Sequence, residues 1–137
     1  MSHYPTMEEI LAEECRIPFW FHDLLLTWKQ TYWKGWKLLP QKDKLLALRA
    51  LILDCFDERV EVLLGSVYQA KLSDTEPFIE LDVAHPSLIS TLHEIGHQLY
   101  GPSELLACRF SVQIFRDHFP KSFQKLKAVG HQLVLTS

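Results

Sequence analysis

His93-Glu94-Ile95-Gly96-His97 lies inside a run that reads as one apolar helix, and no other stretch constrains the fold as tightly. Leu88, Ile89, Leu92, Ile95 and Leu99 recur at helical spacing and form the side to be covered. The histidines are four residues apart, so both imidazoles leave the helix on one face, one turn above the other. A patch of two histidines and a glutamate on so apolar a helix is hard to explain as solvated surface. One divalent ion can be shared by both rings, and Zn²⁺ is the usual occupant of nitrogen-rich sites. Glu94 cannot easily be a third ligand from its own helix. It stands beside such an ion, where it can take a proton from water.

The punctuation around this helix is strong. Pro86 suits a first helical turn, where its missing N–H costs nothing. Gly101-Pro102 ends the run sharply, since glycine permits a cap with positive φ and proline cannot continue the helix. Ser103 reads as the N-cap of a second helix, Glu104 to His118, which Pro120 stops. A last helix is expected over Lys121 to Val129, with Gly130 at its end.

A catalytic zinc needs three protein ligands and an open position. Glu104 is the best third candidate: it opens the helix after the break, where a tight reversal brings its carboxylate back to the histidines. A negative charge is also well placed at a helix N-terminus. His85, Cys108, His118 and His131 are alternatives, Cys108 lying one turn beyond Glu104 on the same face. A second donor to a developing oxyanion is worth about 3 kcal/mol in comparable sites, and Tyr68, Tyr100, His118 and His131 are the candidates.

Upstream, Thr6 to Cys15 reads as a short helix capped by Thr6, and Phe19 to Trp33 resumes helical spacing after Pro18. A third helix runs from Gln41 to Phe56, with Leu45, Leu48, Leu51, Ile52 and Cys55 as its buried stripe. Between Val60 and Val83 the pattern favours two or three antiparallel strands, with a turn near Ser73-Asp74-Thr75-Glu76. A helix through Val60, Leu63, Leu64 and Val67 fits the first part equally well. The segment Pro77 to Asp82 could be an edge strand that pairs with an extended peptide.

The 137 residues suit one domain, 1–137, with a helical part over 1–57 and the sheet and metal-site helices over 58–137. Hydrophobic residues at 47% and charged residues at 23% exclude a disordered chain. A formal charge of −3 gives no general attraction to nucleic acid. Cys15, Cys55 and Cys108 are an odd number without C-x-x-C spacing, which reads as buried thiols of a reducing compartment. Glu8, Glu9, Glu13 and Glu14 occupy the region a secretory signal would keep basic and then apolar, and no apolar run approaches the roughly 20 residues that span a bilayer. The expectation is a cytoplasmic protein with no membrane and no nucleic-acid partner. Trp28-Lys29, Trp33-Lys34 and Trp36-Lys37 could dock a surface, but the reading preferred here has the tryptophans wrapping the core and the lysines in water.

Beyond the pentapeptide, the stretch Glu104-Leu105-Leu106-Ala107-Cys108-Arg109-Phe110-Ser111 gives the chain a family likeness. Residues 77 to 119 resemble the active-site half of gluzincin-type metallopeptidases. They are most similar to ImmA/IrrE-like proteins, in which H-E-x-G-H precedes a helix beginning E-x-x-A-N-x-F-A. The link from His97 to Glu104 is shorter than in that family, and Cys108 stands where it has asparagine. The resemblance implies His93, His97 and Glu104 as zinc ligands and Glu94 as the base. It implies an α+β fold, a mostly helical zincin-like domain with a small antiparallel sheet against the active-site helix. It also implies a peptide or protein substrate, repressor-type regulatory proteins in some members. The expected function is therefore a zinc metallopeptidase, and its rival is a non-catalytic interaction module of the same fold.

Overall fold

Thr6 opens the first helix with a reciprocal cap. In the computed structural model, which describes residues 4–129 and 132–135, the Glu9 amide donates to Thr6 Oγ1 and the Thr6 amide donates to Glu9 Oε1, both at 3.2 Å. This helix, α1 (Met7–Leu11), is one turn long and ends before the expected Cys15. Pro18 then caps α2 (Phe19–Tyr32), and α3 (Gln41–Phe56) has the bounds its sequence pattern gives. Leu48, Leu51, Ile52 and Cys55 are buried as expected, whereas Leu45 is half-buried. Trp28 locks α2 to α3. Its ring is 2% exposed, and its indole N–H donates to the Ala47 carbonyl at 2.7 Å, so a large apolar surface is buried without an orphaned donor.

The middle of the chain forms strands and not the alternative helix. β1 (Glu61–Gly65), β2 (Gln69–Lys71) and β3 (Phe78–Asp82) make one sheet in the order β1-β3-β2. The expected antiparallel sheet is corrected to a mixed one, because β1 runs parallel to β3 while β2 runs antiparallel to it. β3 is inserted between two strands that are neighbours in sequence. Glu80 on β3 makes this possible: its carboxylate accepts from the Ser66 and Val67 amides and from Gln69 Nε2, so it organises the connection that crosses its own strand. A Cβ at Gly65 would displace the Glu80 carboxylate from this position. Pro77–Asp82 is accordingly not an edge strand. β3 is paired on both sides, and Ile79 and Leu81 point into the core at 0% exposure. The turn at residues 73–76 is present, with Ser73 Oγ accepting from the Thr75 and Glu76 amides.

The helices that carry His93 and His97, and Glu104, follow as α4 (Leu88–Tyr100) and α5 (Glu104–His118). Pro86 lies outside α4; Ser87 is the N-cap and accepts from the Ser90 amide at 3.2 Å. Gly101 has φ +94°, the positive value expected of it, and Ser103 caps α5 by accepting from the Leu106 amide. Three residues therefore reverse the chain, and α4 and α5 pack as an antiparallel hairpin.

The expected last helix is corrected too. Pro120 starts a single turn, α6 (Pro120–Phe123), after which β4 (Leu126–Val129) pairs antiparallel with β5 (Gln132–Leu135). Pairing with a partner strand outweighs a weak helical pattern that Pro120 had started. Gly130, expected to end that helix, lies outside the described residues. No described helix is long and apolar enough to cross a membrane.

Gln113, 1% exposed, ties the N-terminal segment to α5. Its amide donates to the Ile10 and Glu13 carbonyls (3.1 and 2.7 Å), and its oxygen accepts from the Cys15 amide (2.7 Å). Arg109 adds a bond to the Glu9 carbonyl at 3.0 Å. A segment with little core of its own is thereby fixed beside the site.

Candidate metal centre

The short hairpin brings His93, His97 and Glu104 together. Glu104 Oε2 is 3.1 Å from His93 Nε2, and Glu104 Oε1 is 2.8 Å from His97 Nε2. The three ligand atoms lie within 4.8 Å of one another. Donors about 2.0–2.1 Å from a tetrahedral ion sit about 3.3 Å apart, so this arrangement of two imidazoles and one carboxylate fits a zinc-sized cation. The helices pack closely here: Gly96 on α4 lies against the Ala107 backbone on α5, and a Cβ at Gly96 would press on it.

The second nitrogen of each ring is also engaged. His97 Nδ1 donates to the Gly101 carbonyl at 3.0 Å, which leaves Nε2 as the ring nitrogen that faces Glu104 Oε1. His93 Nδ1 lies 3.6 Å from Cys108 Sγ. Burial disfavours a charged His93 ring, but Cys108 and Glu104 at its two nitrogens outweigh this and push its pKa up to about 10. Glu104 moves the other way: its hydrogen bond to His93 leads the causes that hold its carboxyl below the usual range.

Glu94 is 6% exposed and borders the same cleft as the triad. Burial raises its carboxyl above the ordinary value, while the charges of His93 and His97 pull against that. A buried carboxyl and the three clustered side chains thus line one cleft of about 1680 Å³.

Among the described residues the alternatives for the third ligand are not brought to this point. Cys108 lies behind His93, against its outer nitrogen. The His85 side chain is 83% exposed and turned to Asp82, with Nδ1 to Oδ2 at 3.2 Å. His118 sits at the far end of α5, its Nε2 2.9 Å from His22 Nδ1. His131 lies outside the described residues.

Two oxyanion-donor candidates have other work. The Tyr100 hydroxyl donates to the Arg16 carbonyl at 3.0 Å, and the Tyr68 hydroxyl donates to the His85 carbonyl while accepting from the Ser87 amide. The residue that sequence reasoning missed is Tyr4. It lines the cleft with its hydroxyl 3.7 Å from Cys108 Sγ, and burial followed by Cys108 raises its pKa far above the phenol range. No local signal marks an isolated tyrosine 89 residues before the motif; the burial of Ile10 and the bonds from Gln113 and Arg109 bring its segment here.

The tryptophans pack as expected, with Trp28 buried and Trp33 and Trp36 half-buried in one aromatic cluster. Lys29 departs from the solvated reading, since its ammonium donates to the His118 carbonyl at 2.6 Å. No family model matches this chain, and comparison with curated proteins and with solved structures likewise finds no match.

Proposed function

We propose that this chain is a zinc-dependent peptidase, with His93, His97 and Glu104 as ligands and Glu94 as general base. The observation that carries the reading is the placement of both Glu104 oxygens at 2.8 and 3.1 Å from the two Nε2 atoms, next to a buried glutamate that a purely structural site would not need. When bound, zinc supplies a Lewis acid that lowers the pKa of water to about 7 and polarises a carbonyl. Glu94 takes the proton released as water attacks the peptide carbonyl and passes it to the leaving amine. Gln69 and Ala70 of β2 border the cleft, so the edge strand of the sheet runs beside the site. A peptide extended along it can be oriented through its backbone, without its side chains being read.

The test is Glu94→Gln, which keeps shape and removes the base. The expected result is unchanged zinc stoichiometry with hydrolysis of a peptide library reduced at least about 100-fold. Equal inactivity of wild type and variant on that library and on casein would favour the interaction-module reading. Zinc-loaded and dialysed protein that holds no ion would end the peptidase reading and leave the interaction module.

A further inference from the structure

The cleft extends well beyond the triad. Its lining follows α4 from His97 back through Ser90 and Ile89 to Pro86, and it also includes Trp36, Lys37 and Lys44. The Lys44 ammonium stands 5.9 Å from the Trp36 ring centre, and Lys37 is exposed. Among the described residues neither lysine is in an ion pair. The wall is firm: Trp36 stacks on Trp33 at 5.5 Å, and Gln41 Nε2 donates to the Ala84 carbonyl, tying the start of α3 to the loop that enters α4.

Both signs of charge thus line one cleft. Glu94 and Glu104 border it with the two histidines, and Asp82 is taken up by His85 and the Ala84 amide. Lys37 and Lys44 line the same cleft, Lys44 over the Trp36 ring.

We propose that Lys37 and Lys44, beside Trp36, form a specificity subsite for an acidic side chain of the peptide substrate. The inference rests on the peptidase reading above and names its substrate class. An acidic peptide is favoured over a nucleic acid because the carboxylates in the same cleft repel a continuous phosphate backbone.

The experiment uses the full zinc-loaded chain and quenched-fluorescence peptides carrying Glu, Ala or Lys at each position up to about four residues to either side of the cleaved bond. Glu is expected to exceed Lys by about 10-fold in kcat/KM, mainly through KM, and Lys37→Glu/Lys44→Glu is expected to invert the order. Lys37→Glu alone, at an exposed position, should narrow the preference even if the double variant fails to fold. Binding is read separately in Glu94→Gln by tryptophan fluorescence. There the Glu peptide should bind several-fold more tightly than the Lys peptide, with the gap closing as salt rises. Hydrolysis with no Glu–Lys preference overturns the subsite and leaves the peptidase reading standing. Glu-selective binding without any wild-type hydrolysis supports the subsite and ends the peptidase reading. Tighter binding of a single-stranded oligonucleotide than of the acidic peptide overturns the proposal.

Discussion

Gly96 and Ala107 meet backbone to backbone. A Cβ on Gly96 would stand 3.1 Å from both the Cα and the carbonyl oxygen of Ala107, and 3.2 Å from the Phe110 ring. This contact sits between the two histidines of α4 and the carboxylate of α5, so it sets how near Glu104 comes to both rings.

Gly96→Ala should therefore act on the metal site more than on the fold. Alanine gains about 1 kcal/mol in helix propensity, while overpacking against backbone costs about 1–3 kcal/mol, so the net loss of stability is at most about 2 kcal/mol. The displaced α5 carries Glu104 away, and zinc affinity is expected to fall about 10-fold. Chelator competition and urea unfolding measure the two effects. Wild-type affinity in the variant would show that helix separation does not control the ligand set.

Cys108 holds the outer nitrogen of His93 as the Gly101 carbonyl holds that of His97. Losing such a support commonly costs about 10–100-fold in metal affinity. Cys108→Ala is expected at the weaker end, about 10-fold, because a thiol at 3.6 Å is a modest partner. Cys108→Asn, whose amide oxygen can accept from the ring, should recover most of it. Zinc dissociation constants for the three proteins decide the matter.

Gln113→Leu preserves volume but strands the Cys15 amide and the Ile10 and Glu13 carbonyls. Leaving buried backbone groups unpaired costs about 1–3 kcal/mol, and a loss in that range is expected on urea unfolding. The N-terminal segment should loosen first, seen as faster hydrogen exchange at the Cys15 amide. An exchange rate equal to wild type would show that packing alone holds this segment.

What the sequence disclosed were the features written locally. Ser103, Gly101-Pro102 and the spacing of His93, His97 and Glu104 foretell α5, the reversal and the clustering of those three side chains, because caps and helical periodicity are read within one or two turns. The parallel pairing of β1 with β3 was hidden, since Val62 meets Ile79 only after the chain has crossed over β3 under the control of Glu80. The same limit concealed the strand at 126–129, whose conformation depends on its partner β5, and the place of Tyr4, which depends on a glutamine on α5. Pro86 was misplaced by only two residues, because Ser87 is the stronger cap.

The far end of α5 should respond to acid. His22 Nδ1 and His118 Nε2 are 2.9 Å apart, which requires one ring to donate and the other to accept. Burial, then the neighbouring His22 and Lys29 charges, depresses the His118 pKa below its ordinary 6.5. The unfolded chain then binds a proton here more readily than the folded one, so stability rises with pH across the window from the folded pKa to 6.5. It is complete above that window and lost as pH falls through it. Urea midpoints measured from about pH 7.5 down to about pH 5 should therefore decline, and more shallowly in His118→Gln, which cannot be charged. Parallel pH profiles for the two proteins would show that this pair does not carry the acid sensitivity.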